Sequence, residues 1–266
     1  MWNGDTYPLI PLKLRPDQAP VTFRVTTSTI VIHGRAMFNR LRIRFRGLFG
    51  AVLLVVVATP LVAEGKGGGY LFQLLLTAVF LGALNAVSHK KRQKRVGLAL
   101  ALPAVVATWA ANFQPGNESL AWGALVLSTA FLCYTAAHIL GYVFRARRVT
   151  SEILFGALSV YLLIGLTFAL VFTTLEARHP GSLSLPAGAF EAGLADPRPF
   201  STISYFSFVT MTTLGYGDIG PLTPATRSLV TLEALLGQLF LAVLIARLVA
   251  LHILHESGEA QHSEGS

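Results

Sequence analysis

Six long apolar stretches separated by short linkers set what this chain can become. They run Leu48–Ala63, Tyr70–Ser88, Val96–Phe113, Leu120–Phe144, Glu152–Glu176 and Ala225–Leu254. A helix that crosses the hydrocarbon core of a bilayer takes about 20 mostly apolar residues. The first stretch is short and is expected to borrow length from the segment before it. Of the 266 residues, 53% are hydrophobic and only 13% charged, and the mean hydropathy is +0.59. A water-soluble domain of this size cannot hide so much apolar surface, so the expected solvent is the bilayer. The fold class expected is an all-α polytopic membrane protein.

The formal net charge is +8, which by itself would suit nucleic acid. The basic residues instead sit in short runs between the spans, which is how membrane topology is written, so no nucleic-acid partner is expected. The linker at 89–95 reads HKKRQKR, and Arg145, Arg147 and Arg148 follow the fourth span. The positive-inside rule places both in the cytoplasm, together with both termini. The weakly charged linkers 64–69 and 114–119 then lie outside. Cys133 sits inside a span and reads as a small buried hydrophobe. No secretory signal is visible near the start.

Residues 1–47 precede the spans. Prolines at 8, 11, 16 and 20 break any early helix, and Val21–His33 is rich in Val, Ile, Thr and Phe. A short hairpin there is the expectation, packed under the membrane domain or left as an arm. Within Ala36–Gly47, Arg40, Arg42, Arg44 and Arg46 alternate with Leu41, Ile43 and Phe45. Two readings stand: an interfacial segment whose arginines meet anionic lipid phosphates, or a plain positive flank.

Between the last two spans lies Thr212-Thr213-Leu214-Gly215-Tyr216-Gly217-Asp218. Glycine at every second position lets successive carbonyls turn to one side. A row of carbonyl oxygens can replace the hydration shell of a monovalent cation. One chain cannot surround an ion this way, so several copies must meet on an axis. The seven residues resemble the selectivity filter of tetrameric potassium channels, usually TVGYG, and most closely the six-helix bacterial type. The resemblance is strong over 152–254 and only architectural over the first four spans.

The resemblance implies a homotetramer with K+ held by the carbonyls of Thr213, Leu214, Gly215 and Tyr216, the Thr213 hydroxyl adding the innermost ligand. It implies support from Thr212, Gly217 and Asp218, and an aromatic cuff at Tyr205 and Phe206, with Tyr205 bonded to Asp218. Leu214 replaces the usual valine, which alters packing but not the carbonyl. Val209 stands where some relatives carry a buried glutamate. The domains expected are a cytoplasmic N-terminal segment at 1–47, a four-helix front domain at 48–149, a pore domain at 150–255 and a polar tail at 256–266. Within the pore domain the outer helix takes 151–176, the turret 177–199, a re-entrant pore helix 200–211 opened by Pro199 and Ser201, and the inner helix 224–254.

Voltage-gated relatives carry arginines every third position in the fourth helix. Here Ala121–Phe144 has no Lys or Arg, so voltage finds little to work on, at about 2.3 kcal/mol per charge per 100 mV. His138 reads as a packing group within that span. Thr223-Pro224 opens the last helix as cap and first-turn residue. By the resemblance, Gly237 occupies the hinge position, close packing being the other reading. Gln238, Leu241, Ile245 and Val249 recur at helical spacing and would line the cavity and gate. Glu233 lies on the Gly237 face and needs a partner at membrane depth: it either braces the filter and pore helix or faces water. Arg247 is expected to snorkel to the cytoplasmic interface. His252 and His255 read as pH-sensing groups or a solvated end, and the tail leaves no room for a nucleotide- or calcium-binding domain.

The function expected is passive, potassium-selective conduction in the cell membrane, without voltage gating, with no cofactor beyond the permeant ion and no enzymatic activity. A weakly selective cation channel and a subunit of a potassium uptake transporter are the alternatives.

Overall fold

The computed structural model describes residues 27–264 apart from 64, 66–67, 88–90, 115, 147–149, 189, 191–192 and 194–195, with side chains described from Phe45 to Ala250. Seven helices follow in order: α1 (Thr27–Ala63), α2 (Gly68–Val87), α3 (Lys91–Phe113), α4 (Glu118–Arg145), α5 (Ser151–Arg178), α6 (Pro197–Met211) and α7 (Pro224–Glu264). Six contain stretches long and apolar enough to cross a membrane; α6 is the exception. The all-α polytopic class is therefore what the sequence specified. The chain divides into two compact units, Met1–Phe38 and Asn39–Ser266.

Several boundaries differ from the sequence reading. The strands expected over Val21–His33 are replaced by helix from Thr27 onward, and 21–26 lie outside the described residues. β-branched residues favour strands only weakly, and their alternation here is imperfect. The basic linker is partly helical too, since α3 starts at Lys91. The pore helix starts at Asp196-Pro197 rather than at Pro199 and Ser201. Aspartate supplies a cap oxygen and proline suits the first turn, whose amide has no helical partner anyway. α7 runs unbroken to Glu264, so residues 256–264, expected as a separate tail, continue the helix. Thr223 caps α7 as expected, its Oγ1 accepting from Thr226 N at 3.3 Å.

One apolar core joins both halves of the bundle. Phe45, Leu48, Val52 and Val55 from α1 are buried in it, with Phe80, Phe131, Leu163 and Leu166. α4 packs on α3 and α5, and α5 packs on α6 and α7. Arg46 ties α1 to the start of α5: it lies 3.7 Å from Glu152 and stacks on Phe155. The side chains of Arg40, Arg42 and Arg44 lie outside the described residues. A second core of Phe172, Leu183, Ile203, Phe206 and Ile219 lies where α5 and α6 meet the segment after the filter.

Candidate ion-conduction site

The segment 212–218 leaves the end of α6 with its first four amides turned back on that helix. Thr212 N donates to the Phe208 carbonyl, Thr213 N to Thr210, and both Leu214 N and Gly215 N to Val209, at 3.0–3.3 Å. Amides satisfied on one side leave the carbonyls of the extended run free for the other. Gly215 and Gly217 have φ of 54° and 79°, a region glycine enters without strain and other L-residues avoid. No atom lies within 4 Å of a Cβ added at either position, so backbone angle, not crowding, selects glycine. Thr213 also has positive φ, 59°, a strained state for a β-branched residue that held segments retain at functional sites.

Every residue from Thr212 to Asp218 is exposed in the single chain. Tyr205 OH donates to Asp218 Oδ2 at 2.9 Å, and its ring stacks on Tyr216 with centroids 6.5 Å apart. Phe206 points the other way and packs edge-on against Phe172. The expected cuff pair is thus divided: one ring serves the filter, the other the core.

Behind segment 212–218 three helices meet. Glu233 of α7 is fully buried, and its Oε1 meets Ser207 Oγ of α6. Ser207 Oγ also lies 2.8 Å from the Gly165 carbonyl of α5. Glu233 Oε2 has no partner within the single chain. Of the two readings of Glu233, contact with the pore helix is the one the geometry contains. Gly237 sits one turn further along: a Cβ there would lie 2.5 Å from the Met211 carbonyl. It is therefore a close-packing glycine against the end of α6, and α7 shows no break at it. Gly165 plays the same part on α5, where a Cβ would fall 2.6 Å from the Phe208 ring. Tyr161 OH of α5 reaches the Met211 carbonyl at 3.4 Å.

The outer end is tied by a residue the sequence reading passed over. Glu176, at the end of α5, accepts from Gly181 N at 2.7 Å and Leu183 N at 2.8 Å. Leu183 forms an isolated bridge with Pro221, and Ser184 N donates to Gly220 O at 2.9 Å. Thr226 Oγ1 then donates to Ser182 O at 3.0 Å. A carboxylate ending an apolar helix just before Pro180-Gly181 was the available signal. Asp196 caps α6, its Oδ1 accepting from Arg198 N at 2.8 Å. Burial raises its pKa, but the hydrogen bonds and charge of Arg198 prevail and hold the carboxyl below its usual range.

On α7, Gln238 Nε2 approaches Thr213 Oγ1 at 3.4 Å. Leu241, Ile245 and Val249 follow along the helix, and Ile245 and Val249 are 60% and 54% exposed in one chain. Arg247, expected to snorkel to the cytoplasmic interface, reaches the end of α4. Its guanidinium donates to the carbonyls of Val143 and Ala146 at the end of α4, and stacks 5.5 Å from the Phe144 ring. Carbonyls at the end of a helix carry the negative end of its dipole, which attracts a cation.

Residues 160–252 match the family model described as ion channel, Ion_trans_2. Over 49 residues the chain is 51% identical to the inward rectifier potassium channel Kirbac3.1 of Paramagnetospirillum magnetotacticum, a match covering 18% of this chain and 17% of that protein. No solved structure matches. The matched region takes in α5, α6, the filter and most of α7, so the chain carries an ion-channel domain there.

Proposed function

We propose that this chain is the pore-forming subunit of a homotetrameric, potassium-selective channel of the cell membrane, with both termini cytoplasmic. The reading rests on one observation: the amides of Thr212 to Gly215 turn onto α6, Gly215 and Gly217 take positive φ, and the carbonyls of Thr213, Leu214, Gly215 and Tyr216 have no partner among the described residues. In this reading four such rows meet on an axis, and the carbonyls of Thr213, Leu214, Gly215 and Tyr216 replace the water around K+. The potassium channel named among the relatives supports K+ as the ion. The exposed apolar face of α7, with Leu239 at 59% and Ile245 at 60%, supplies surface for neighbouring subunits and for a hydrophobic gate at Ile245 and Val249. Glu233 and Ser207 hold the pore helix against α7.

The purified protein in liposomes is expected to run as a tetramer and to pass K+ with a reversal potential that barely responds to Na+. Equal permeability to the two ions would make it a weakly selective cation channel. A slow, saturable flux would make it part of a transporter. With no Lys or Arg in Ala121–Phe144, open probability is expected to stay nearly flat from −100 to +100 mV, since an e-fold change per ~25 mV requires about one moving charge. Glu233→Gln is expected to shorten openings or shift ion preference with the tetramer intact; unchanged currents would remove Glu233 from the mechanism.

A further inference from the structure

The front half contains a cavity for which conduction has no use. It lies between α2, α3 and α4 and reaches the side of α5 and the first turn of α6. About 70 Å³ of it is open to the centre of a water molecule, where one ordered water takes roughly 10–15 Å³ by that measure. Its walls are mainly apolar, with Phe72, Leu76, Leu125, Leu170 and Phe200.

Six polar side chains interrupt that lining; Thr108 and Thr173 are bonded to their own helices and Asp196 to Arg198, which leaves Gln73 of α2, Asn112 of α3 and Ser128 of α4. Gln73 Nε2, Asn112 Nδ2 and Ser128 Oγ are all buried without a hydrogen-bond partner. Gln73 is 5% exposed and Ser128 1%. A buried donor left unmade is costly, and native interiors contain few of them. Three converging on one cavity mark a place built to receive acceptors.

The chemistry of the lining narrows the occupant. Among the described residues no cation lines the cavity. The single acid among them, Asp196, is already engaged by Arg198 N, Nε and Nη2 at 2.8–3.0 Å. Two carboxamides and a hydroxyl offer protons to neutral oxygen, and the rest of the wall suits a hydrocarbon body.

We propose that this cavity binds a neutral amphiphile whose carbonyl or ether oxygens accept from Gln73, Asn112 and Ser128, with its apolar body against Phe72, Leu125 and Phe200. Because Leu170 and Phe200 belong to α5 and α6, the occupant touches the front bundle and the pore helix at once. The site is independent of ion selectivity and is tested without measuring conduction.

The test uses the full chain in nanodiscs of ether-linked phosphatidylcholine, photolabelled with a diazirine derivative of a ten-carbon methyl ester and mapped by mass spectrometry. Label is expected on α2, α4 and the start of α6, displaced by unlabelled methyl decanoate. It is expected to fall about tenfold in a Gln73→Leu, Ser128→Ala double variant, the loss due to two hydrogen bonds. Repeating the labelling in ester-linked phosphatidylcholine separates two sources: suppression assigns the site to a lipid ester, and unchanged labelling to a free amphiphile, both in support. Label that is absent from the cavity, not displaceable, or undiminished in the double variant overturns the proposal and leaves water as the partner of the three groups. If the double variant does not assemble, displacement on the unmodified protein decides.

Discussion

The two halves of this bundle handle buried polarity in opposite ways. In the half built from α5, α6 and α7, carboxylates tie separate segments together. Glu176 binds the backbone beyond α5, Asp218 takes Tyr205, and Glu233 meets Ser207. In the front half the helices pack on apolar surface, and Gln73 Nε2, Asn112 Nδ2 and Ser128 Oγ face a cavity unpartnered. The contrast teaches where precision is required. In the proposed function a run of carbonyls coordinates an ion and tolerates little movement, and polar anchors surround it at the outer end, from behind and from its own helix. A helical bundle in lipid asks only for complementary apolar faces. Two arginines join the halves: Arg46 ties α1 to the start of α5, and Arg247 fixes the end of α4 to α7 close to Ile245 and Val249.

The sharpest way to break this contrast is Gly215→Ala. An L-residue at φ 54° is strained by roughly 1–2 kcal/mol, and relief of that strain swings a carbonyl out of the row. Potassium flux is expected to fall to background while the tetramer survives; a semisynthetic D-alanine at 215, which favours positive φ, is expected to restore it. Retained flux with L-alanine would mean the row needs no anchoring. Next in size is Gly237→Ala, which drives a Cβ to 2.5 Å from the Met211 carbonyl. Overpacking costs typically 1–3 kcal/mol, and a lower thermal midpoint of the solubilised protein is the readout.

Arg247→Gln probes the polar link between α7 and the end of α4. Losing hydrogen bonds from a charged group costs about 1.5–3 kcal/mol, and amide exchange in the last turn of α4 is expected to quicken. Exchange that stays unchanged would mean the contact contributes nothing to coupling. The smallest effect belongs to Asp196. Asp196→Ala removes a helix cap worth about 1 kcal/mol, and Asp196→Asn keeps the cap but loses the charge. Since the carboxyl titrates below its usual value, its contribution is complete above that value and disappears as pH falls through the lower, folded one. The stability gap between Asp196→Asn and the parent is therefore expected at pH 7 and absent in strong acid. A gap that persists in acid would contradict the ion pair with Arg198.

Spans, caps and the unusual backbone of the alternate-glycine run were legible because each is local. Twenty apolar residues specify a spanning helix wherever they occur, Thr223-Pro224 starts one, and alternate glycines mark a backbone with unusual angles. Partners were not legible. Ser207 lies 26 residues before Glu233, and nothing in the intervening sequence says that α6 and α7 cross there. Glu176 looked like the end of a span until its two amide donors were located. For Arg247 the sequence offered only a general tendency toward the interface, not the α4 carbonyls it meets. Gly237 carries the same letter for a hinge and for a contact, and only the position of Met211 separates the two.

The sequence by itself determined the bilayer as solvent, the helical class, the six apolar spans and the glycine-bearing run at 212–218, because hydropathy and glycine's freedom act over a few residues. Tertiary structure decided which buried acids are partnered, which glycines admit a neighbouring helix, and where three unpartnered donors converge. Those outcomes depend on distances between segments far apart in the chain, which only packing sets.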